Sequence, residues 1–194
     1  IHQDLITGPT PFTPALSVSD GAYADNMVAM SSVSKSFNMA SLHQAEVIIP
    51  DESLRSRYNA YKSHVYHTDS DVIAEAAITA AYTQPDAEAW LNDLLAVVRE
   101  NYDYMYKELR AALPELRISP MDGTYLAWID FSAYIKPESM RDVFENQCRI
   151  APSFGEWFGG ADYAGFVRLN LATSPEIIKI ATERIISRCP VKIS

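Results

Sequence analysis

Hydrophobic positions recur at three- and four-residue steps in the middle of the chain and predict one long helix. The helix is expected to start with Asp86 as its N-cap, directly after Pro85, and to continue to Pro114. Its apolar positions are Leu91, Leu94, Leu95, Val98, Tyr102, Met105, Leu109 and Leu113. A helix of roughly seven turns, at 3.6 residues per turn, favours a connection between two domains, and the same periodicity also fits a coiled-coil seam.

Turn residues and short apolar runs alternate in the first fifty residues. Gly8 and the prolines Pro9, Pro11 and Pro14 exclude a regular helix from the opening loop. Residues 27–31 then predict a short buried strand, and residues 47–49 predict a second one that ends at Pro50.

Two shorter helices are predicted between these strands and the long helix. The first covers residues 52–60 and the second covers residues 70–82. The second helix has a predicted apolar face made of Val72, Ile73, Ala76, Ala77 and Ala80.

The hydrophobic period changes from 3.6 to 2 after Pro120. Residues 124–131 predict a strand whose inward positions are Tyr125, Ala127, Ile129 and Phe131. A short helix over 137–147, strands over 149–151 and 166–172, and a last helix capped by Ser174 complete the pattern. Helices packed on antiparallel strands predict an α+β domain.

Composition narrows the class of protein without indicating a reaction. The chain has 194 residues, 48% of them hydrophobic, which is enough for a sizeable core. A net charge of -9 without a basic stripe argues against nucleic-acid binding. No stretch resembles a signal peptide or a membrane span, so a cytoplasmic location is predicted. Cys148 and Cys189 are predicted to be reduced core thiols.

A lysine in a turn rich in small hydroxyl residues, Lys35 within residues 31–38, is the first candidate for chemistry. Alone, such a short motif is typical of an exposed loop lysine. Further motifs follow in a fixed order: Ile1-His2-Gln3-Asp4-Leu5, Ser34-Lys35-Ser36-Phe37-Asn38, Ala80-Ala81-Tyr82, Trp90-Leu91, residues 123–131 and Phe166-Val167-Arg168-Leu169-Asn170. Together they resemble the class I/II pyridoxal-phosphate aminotransferases of fold type I, in particular the cystathionine β-lyase branch that cleaves carbon–sulfur bonds.

This resemblance implies a domain organisation. In the family an Asp-Glu pair and a long segment precede the opening Ile-His, so the chain is expected to be the C-terminal half of an enzyme. Residues 1–90 would be the end of an α/β cofactor-binding large domain, 91–113 an interdomain helix and 114–194 a small α+β domain. A homodimer, or association with a missing N-terminal half, is expected. Without that half, residues 1–60 are expected to be rearranged, partnered or poorly ordered, and the chain alone to bind the cofactor weakly and without turnover.

The resemblance also assigns candidate roles on the large-domain side. Lys35 would form an imine with pyridoxal phosphate and act as the base that removes the substrate's α-proton. Ser32 and Ser34 resemble donors to the cofactor phosphate, although hydroxyls in turns more often satisfy the backbone. His2 is similar in position to a residue that contacts the cofactor's phenolic oxygen. His43 stands where the broader superfamily has an arginine, which weakens the phosphate assignment.

An arginine in an apolar strand is the second candidate. Arg168 and Asn170 share one face of the predicted strand, because side chains alternate between faces. A guanidinium in this setting needs an anionic partner. A structural salt bridge is one possibility, and the resemblance implies the other, the α-carboxylate of an amino-acid substrate.

Several alternatives remain open from the sequence. Nothing decides between β-elimination, with cystathionine or cysteine S-conjugates as substrates, and transamination. A truncated or degenerate member without catalysis, and a cofactor-free carboxylate-binding module, are further hypotheses. The pair His64 and His67, with Asp69 nearby, suggests a metal site, but a surface or interface segment is favoured, since no third ligand is spaced on a regular element. No metal is therefore predicted.

Overall fold

The computed structural model describes residues 1–65 and 71–189. The chain divides into two compact units, Ile1–Asp93 and Leu94–Ser194. Helices and strands are mixed in both units, as the sequence predicts. Within the described ranges, no helix is long and apolar enough to cross a membrane.

The first unit contains a two-stranded antiparallel sheet and short helices. Strand β1 (Ala29–Ser31) pairs with β2 (Glu46–Ile48), and the four-residue helix α1 (Val33–Ser36) lies between them in the chain. Helices α2 (Glu52–Val65) and α3 (Val72–Thr83) follow. Short 3-10 turns lie at Ala24–Asn26, at Ala40–Leu42 and within Ala15–Gly21, where Val18, Ser19 and Asp20 depart from helical backbone angles.

The burial predicted for the first unit is wrong in two places. Met30 is 71% exposed, and Val28 and Ile48 are also exposed, so β1 and β2 are not buried strands. A sheet of two strands covers little apolar surface, which explains this difference. On α3 the buried residues are Ala74 and Ala81, whereas Val72 is 77% exposed. Almost every position of α3 is apolar, so periodicity could not identify its packed side.

The long helix is confirmed. Helix α4 (Pro85–Ala112) has 28 residues, and its buried apolar side chains, Leu95, Val98, Met105 and Leu109, were predicted as such. These residues belong to the second unit, and Val98, Met105 and Leu109 are part of its hydrophobic core. The apolar side of α4 therefore packs within a globular core and does not form a coiled coil. Asp86 lies in the first turn rather than at the N-cap, because Pro85 is itself the first helical residue.

The second unit is built on a four-stranded antiparallel sheet. Its strands are β3 (Arg117–Ile118), β4 (Leu126–Asp130), β5 (Ser153–Phe154) and β6 (Phe166–Asn170), in the spatial order β3-β4-β6-β5. Helices α5 (Glu156–Gly159) and α6 (Pro175–Arg188) flank β6 in the chain. Ala127, Ile129, Val167 and Leu169 are buried on one face of the sheet, and the alternation predicted for β4 is confirmed.

Two elements predicted in this unit are replaced by others. The helix expected over residues 137–147 is a 3-10 turn, Pro137–Ser139, followed by π-helix over Asp142–Gln147. The strand expected over residues 149–151 does not form, because Arg149 has a φ of 57°, which is incompatible with extended backbone. The edge strand β5 starts only at Ser153.

Both cysteines are free thiols, as predicted. Cys148 is buried, and burial raises its pKa above the usual value. Burial, and secondarily the neighbouring Cys148, raises the pKa of Cys189 to about 12. Neither thiol has the low pKa that a nucleophilic cysteine requires.

A buried amide fixes α4 against the end of β6 and was not predicted. Asn101 is 2% exposed, and its amide nitrogen donates to the carbonyls of Leu171 and Thr173, at 2.9 Å each. We expect Asn101→Ala to lower the free energy of unfolding by about 1–3 kcal/mol, since it removes both hydrogen bonds that this buried amide donates. Urea denaturation checks this. Asn146→Ala, which removes an exposed hydrogen bond to Asp142, is the matched control; equal losses would contradict the prediction.

Candidate active site

The turn that carries Lys35 is a short helix with a polar cap. Ser32 is the N-cap of α1, and its hydroxyl accepts a hydrogen bond from the backbone N–H of Ser34 at 3.1 Å. Val33 and Ser36 are buried and anchor the helix, which leaves Lys35 half-buried between them. Among the residues that the structure describes, no carboxylate or hydrogen-bond acceptor pairs with the Lys35 ammonium. Lys35 is therefore held on a fixed backbone with its side-chain nitrogen available.

The hydroxyls of Ser32 and Ser34 are already engaged within the turn. Ser32 Oγ donates its single proton to the Gln44 carbonyl at 2.7 Å. The 2.6 Å contact between Ser32 Oγ and Ser34 Oγ must then use the proton of Ser34. Ser34 can release its proton by rotating about one bond, whereas Ser32 holds the cap and the Gln44 carbonyl together. Ser34 is thus the better of the two predicted phosphate donors.

A carboxylate network lies next to the lysine turn and was not recognised from the sequence. Ser36, directly after Lys35, donates from Oγ to Asp4 Oδ2 at 2.6 Å, and the Tyr82 hydroxyl donates to the same oxygen at 3.1 Å. Partial burial and then the Asp4 charge raise the pKa of Tyr82 to about 12, so the phenol stays protonated and serves as a donor. Asp4 and Tyr82 both occur in the motifs that carry the family resemblance, which was the available signal.

The histidines have different settings. The backbone carbonyl of the half-buried His2 accepts a hydrogen bond from Leu5 N at 3.0 Å, so His2 begins a turn that the buried Leu5 anchors. His43 is exposed at the end of a 3-10 turn. His64 is exposed in the last turn of α2, while His67 and Asp69 lie outside the described residues. Across residues 1–65 and 71–189, no group of three or more His, Cys, Asp or Glu could hold a metal ion.

Arg168 lies in β6 at a position where two other strands meet it. It is opposite Trp128 of β4 and opposite Ser153 of β5. Its Nη2 donates to Ser153 Oγ at 3.3 Å, at the long end of the hydrogen-bond range, and its Nε is buried without a partner. No acidic side chain of the described residues forms an ion pair with it. The structural salt bridge considered from the sequence is therefore not found in this part of the chain.

Aromatic rings surround Arg168 on its face of the sheet. The guanidinium carbon lies 4.4 Å from the centroid of the Phe158 ring. Trp128 is stacked on Phe166, with centroids 5.4 Å apart, and meets Phe158 edge-on at 5.7 Å. A cavity of about 520 Å³ includes Arg168, Ser153 and Asn170 in its wall. This arrangement offers a cation to a small anionic ligand at an apolar surface.

Comparison with known proteins gives the context of both candidates. The family model described as aminotransferase class I and II matches residues 1–185. Cystathionine beta-lyase PatB of Bacillus subtilis (strain 168) is 30% identical over 186 residues, which are 95% of this chain and 47% of PatB. Protein MalY of Escherichia coli (strain K12) is 34% identical over 172 residues, 88% of this chain and 42% of MalY. The chain spans about half the length of the curated relatives that it matches.

Solved structures show the same similarity in three dimensions. Cystalysin from Treponema denticola, which contains a pyridoxal 5'-phosphate cofactor, superposes with a TM-score of 0.88 at 26% identity over 97% of this chain and 47% of cystalysin. The pyridoxal-phosphate-bound C–S lyase from Staphylococcus hominis superposes with a TM-score of 0.84 at 29% identity, over 97% of this chain and 45% of the lyase.

Proposed function

Because the chain belongs to the aminotransferase class I and II family, we propose that it forms the lysine-bearing and carboxylate-binding parts of a pyridoxal-phosphate enzyme that cleaves carbon–sulfur bonds. The proposed substrates are cystathionine and cysteine S-conjugates. Two of the similar proteins are named as a cystathionine beta-lyase and a C–S lyase, which supports this choice over other reactions of the family. The observation that carries the proposal is the Lys35 side chain, half-buried on an anchored turn and without a partner in the described residues.

The residues of the lysine turn fit the cofactor in part. Lys35 would bind the cofactor aldehyde, and Ser34, whose hydroxyl can rotate away from Ser32, would donate to the phosphate. Ser32 fits less well, because its proton is held by the Gln44 carbonyl. We assign His2 to the phenolic oxygen of the ring. When bound, pyridoxal phosphate supplies an aromatic ring that withdraws electrons from the substrate's α-carbon.

In this proposal Lys35 moves the proton that starts the reaction. Its side-chain amine removes the proton from the α-carbon of the substrate, since no described carboxylate competes for its nitrogen. The electron pair released from the α-carbon then expels a thiolate from the β-carbon. The thiolate takes up a proton and leaves as a thiol. With one water consumed, the remaining three-carbon fragment ends as pyruvate and ammonia.

Arg168 has the task of binding and orienting the substrate. Its guanidinium would hold the α-carboxylate, because a planar fork matches two carboxylate oxygens. The lack of an acidic partner within the described residues leaves its charge available for a ligand. We further propose that the working enzyme is a homodimer or associates with a second chain segment, a proposal that the membership of the aminotransferase class I and II family supports.

Product analysis tests the reaction class. We expect the full-length protein, supplied with pyridoxal phosphate and L-cystathionine, to release free thiol, pyruvate and ammonia in equal amounts. The exposed lysine variant Lys62→Ala serves as a control that should keep full activity. Transfer of the amino group to a 2-oxo acid without thiol release would identify an aminotransferase instead. Cofactor binding without turnover of either kind would favour the non-catalytic alternative.

A further inference from the structure

We infer that Phe158 and Ser153 are positioning residues, which hold the Arg168 guanidinium in the orientation that receives a substrate carboxylate. The inference rests on the proposed function of Arg168. It assigns a role to two side chains that no motif in the sequence singles out. The Phe158 ring makes a cation–π contact with the guanidinium, and the Ser153 hydroxyl accepts a hydrogen bond from one of its terminal nitrogens.

The Phe158 ring packs against the Arg168 guanidinium. Its ring centroid lies 4.4 Å from Arg168 Cζ, within the range of a cation–π contact, although the Phe158 side chain is 52% exposed. Trp128 supports the ring edge-on at 5.7 Å. An exposed phenylalanine that is fixed over a guanidinium serves to orient the cation rather than to fill the core.

The backbone that carries Phe158 is fixed by a close approach at Gly155. Phe158 N donates to the Gly155 carbonyl at 2.9 Å, and Gly155 N donates to the Phe166 carbonyl at 2.8 Å. A Cβ at Gly155 would lie only 2.2 Å from the Tyr163 carbonyl oxygen, so no other residue fits without displacement. Helix α5 is therefore docked against β6, and the Phe158 ring is docked with it.

Ser153 fixes one edge of the same guanidinium. The β5–β6 register places it opposite Arg168, and its Oγ accepts a hydrogen bond from Nη2 at 3.3 Å. A guanidinium has five N–H donors, and stacking on a ring uses none of them. Apart from the bond to Ser153, the described residues supply no acceptor to the Arg168 side chain. Phe158 and Ser153 thus restrain the Arg168 guanidinium, while most of its N–H donors remain without an acceptor in the described residues.

This restraint matters because Arg168 has no ion pair in the described residues to hold it. A long side chain that must be ordered by its ligand binds more weakly than one that is ordered beforehand. Removing the Phe158 ring should therefore lower the binding affinity selectively for ligands that carry a carboxylate. Uncharged ligands of the same shape should be little affected, because they gain nothing from the orientation of the cation.

The test compares a carboxylate with its ester in the full-length protein. The probes are 3-(methylsulfanyl)propanoate and its methyl ester, and their dissociation constants are measured by calorimetry. We expect Phe158→Leu to weaken the acid about 3- to 30-fold and to leave the ester unchanged. Phe158→Tyr keeps the ring and should bind the acid within about twofold of the wild type. Ser153→Ala should have a smaller effect of the same kind.

Trp157→Leu is the matched control, because Trp157 is also exposed on α5 but packs on Phe154 and Arg141. Loss of acid and ester affinity to the same degree in Phe158→Leu would show that Phe158 does not act through the charge of Arg168, which overturns the inference. The same holds if Phe158→Leu behaves like Trp157→Leu, or if Phe158→Tyr loses affinity. Failure of the proposed function is a different result: Arg168→Lys itself would leave acid binding unchanged.

Discussion

Replacing Lys35 by alanine should remove the proposed activity, lowering kcat/KM for L-cystathionine by about 10²- to 10⁴-fold or more. The variant loses both the residue that binds the cofactor aldehyde and the base that takes the α-proton. Steady-state assay of thiol release measures the loss. Lys35→Arg should be equally inactive, because a guanidinium can serve as neither nucleophile nor base near neutral pH.

The structure separates this loss from misfolding. Helix α1 is anchored by the buried Val33 and Ser36 and capped by Ser32, so the Lys35 side chain is not needed for the turn. We expect the free energy of unfolding of Lys35→Ala to stay within about 0.5 kcal/mol of the wild type. Lys62→Ala, on the exposed surface of α2, is the matched control. Substantial activity in Lys35→Ala would exclude the assigned role.

The second large effect is expected at Arg168. Arg168→Lys keeps the positive charge and loses the planar fork, so kcat/KM for amino-acid substrates should fall roughly ten- to a hundredfold, equivalent to about 1.5–3 kcal/mol. Cofactor affinity should change little, because Arg168 is assigned to the substrate alone. The measurement is a pair of titrations, one with substrate and one with pyridoxal phosphate.

Arg141 offers a matched control for this substitution. Its guanidinium also lies over aromatic rings, 4.7 Å from Phe154 and 5.5 Å from Trp157, but it is ion-paired with Glu156 at 2.8 Å. Arg141→Lys should leave kcat/KM nearly unchanged. If both substitutions have the same small effect, Arg168 is a structural residue and the carboxylate assignment fails.

The elements that the sequence predicted well have a strong period and one clear packed side. In α4 the apolar positions between Leu95 and Leu109 follow the helical repeat and face the core of the second unit. In β4, the buried Ala127 and Ile129 alternate with the half-buried Leu126 and Trp128. In contrast, α3 is apolar almost all round, so its sequence could not show that Ala74 and Ala81 are the packed residues.

Local backbone geometry accounts for other differences. The apolar Ile150 and Ala151 suggested a strand, but the left-handed conformation of Arg149 turns the chain before β5. The strands β1 and β2 were located correctly, yet Met30 and Ile48 are exposed because burial depends on neighbours that a strand's own sequence does not specify.

The candidate site could be predicted only where its residues lie in short motifs. Lys35 and Arg168 were found in this way, and their roles remain predictions. Phe158 and Ser153 contact Arg168 because α5 packs against β6 and β5 pairs with it, which brings together residues that are not neighbours in the chain. The Asp4 carboxylate reaches Ser36 and Tyr82 across even longer separations. Contacts of this kind depend on the tertiary structure and leave no periodic signal in the sequence.

Reductive trapping shows which lysine binds pyridoxal phosphate, and we expect it to be Lys35. The full-length protein is incubated with pyridoxal phosphate, reduced with borohydride, digested, and its peptides are mapped by mass spectrometry. We expect one stoichiometric cofactor label, on Lys35, that is absent from Lys35→Ala. A label on Lys62 or Lys107, with Lys35 unmodified, would contradict this prediction.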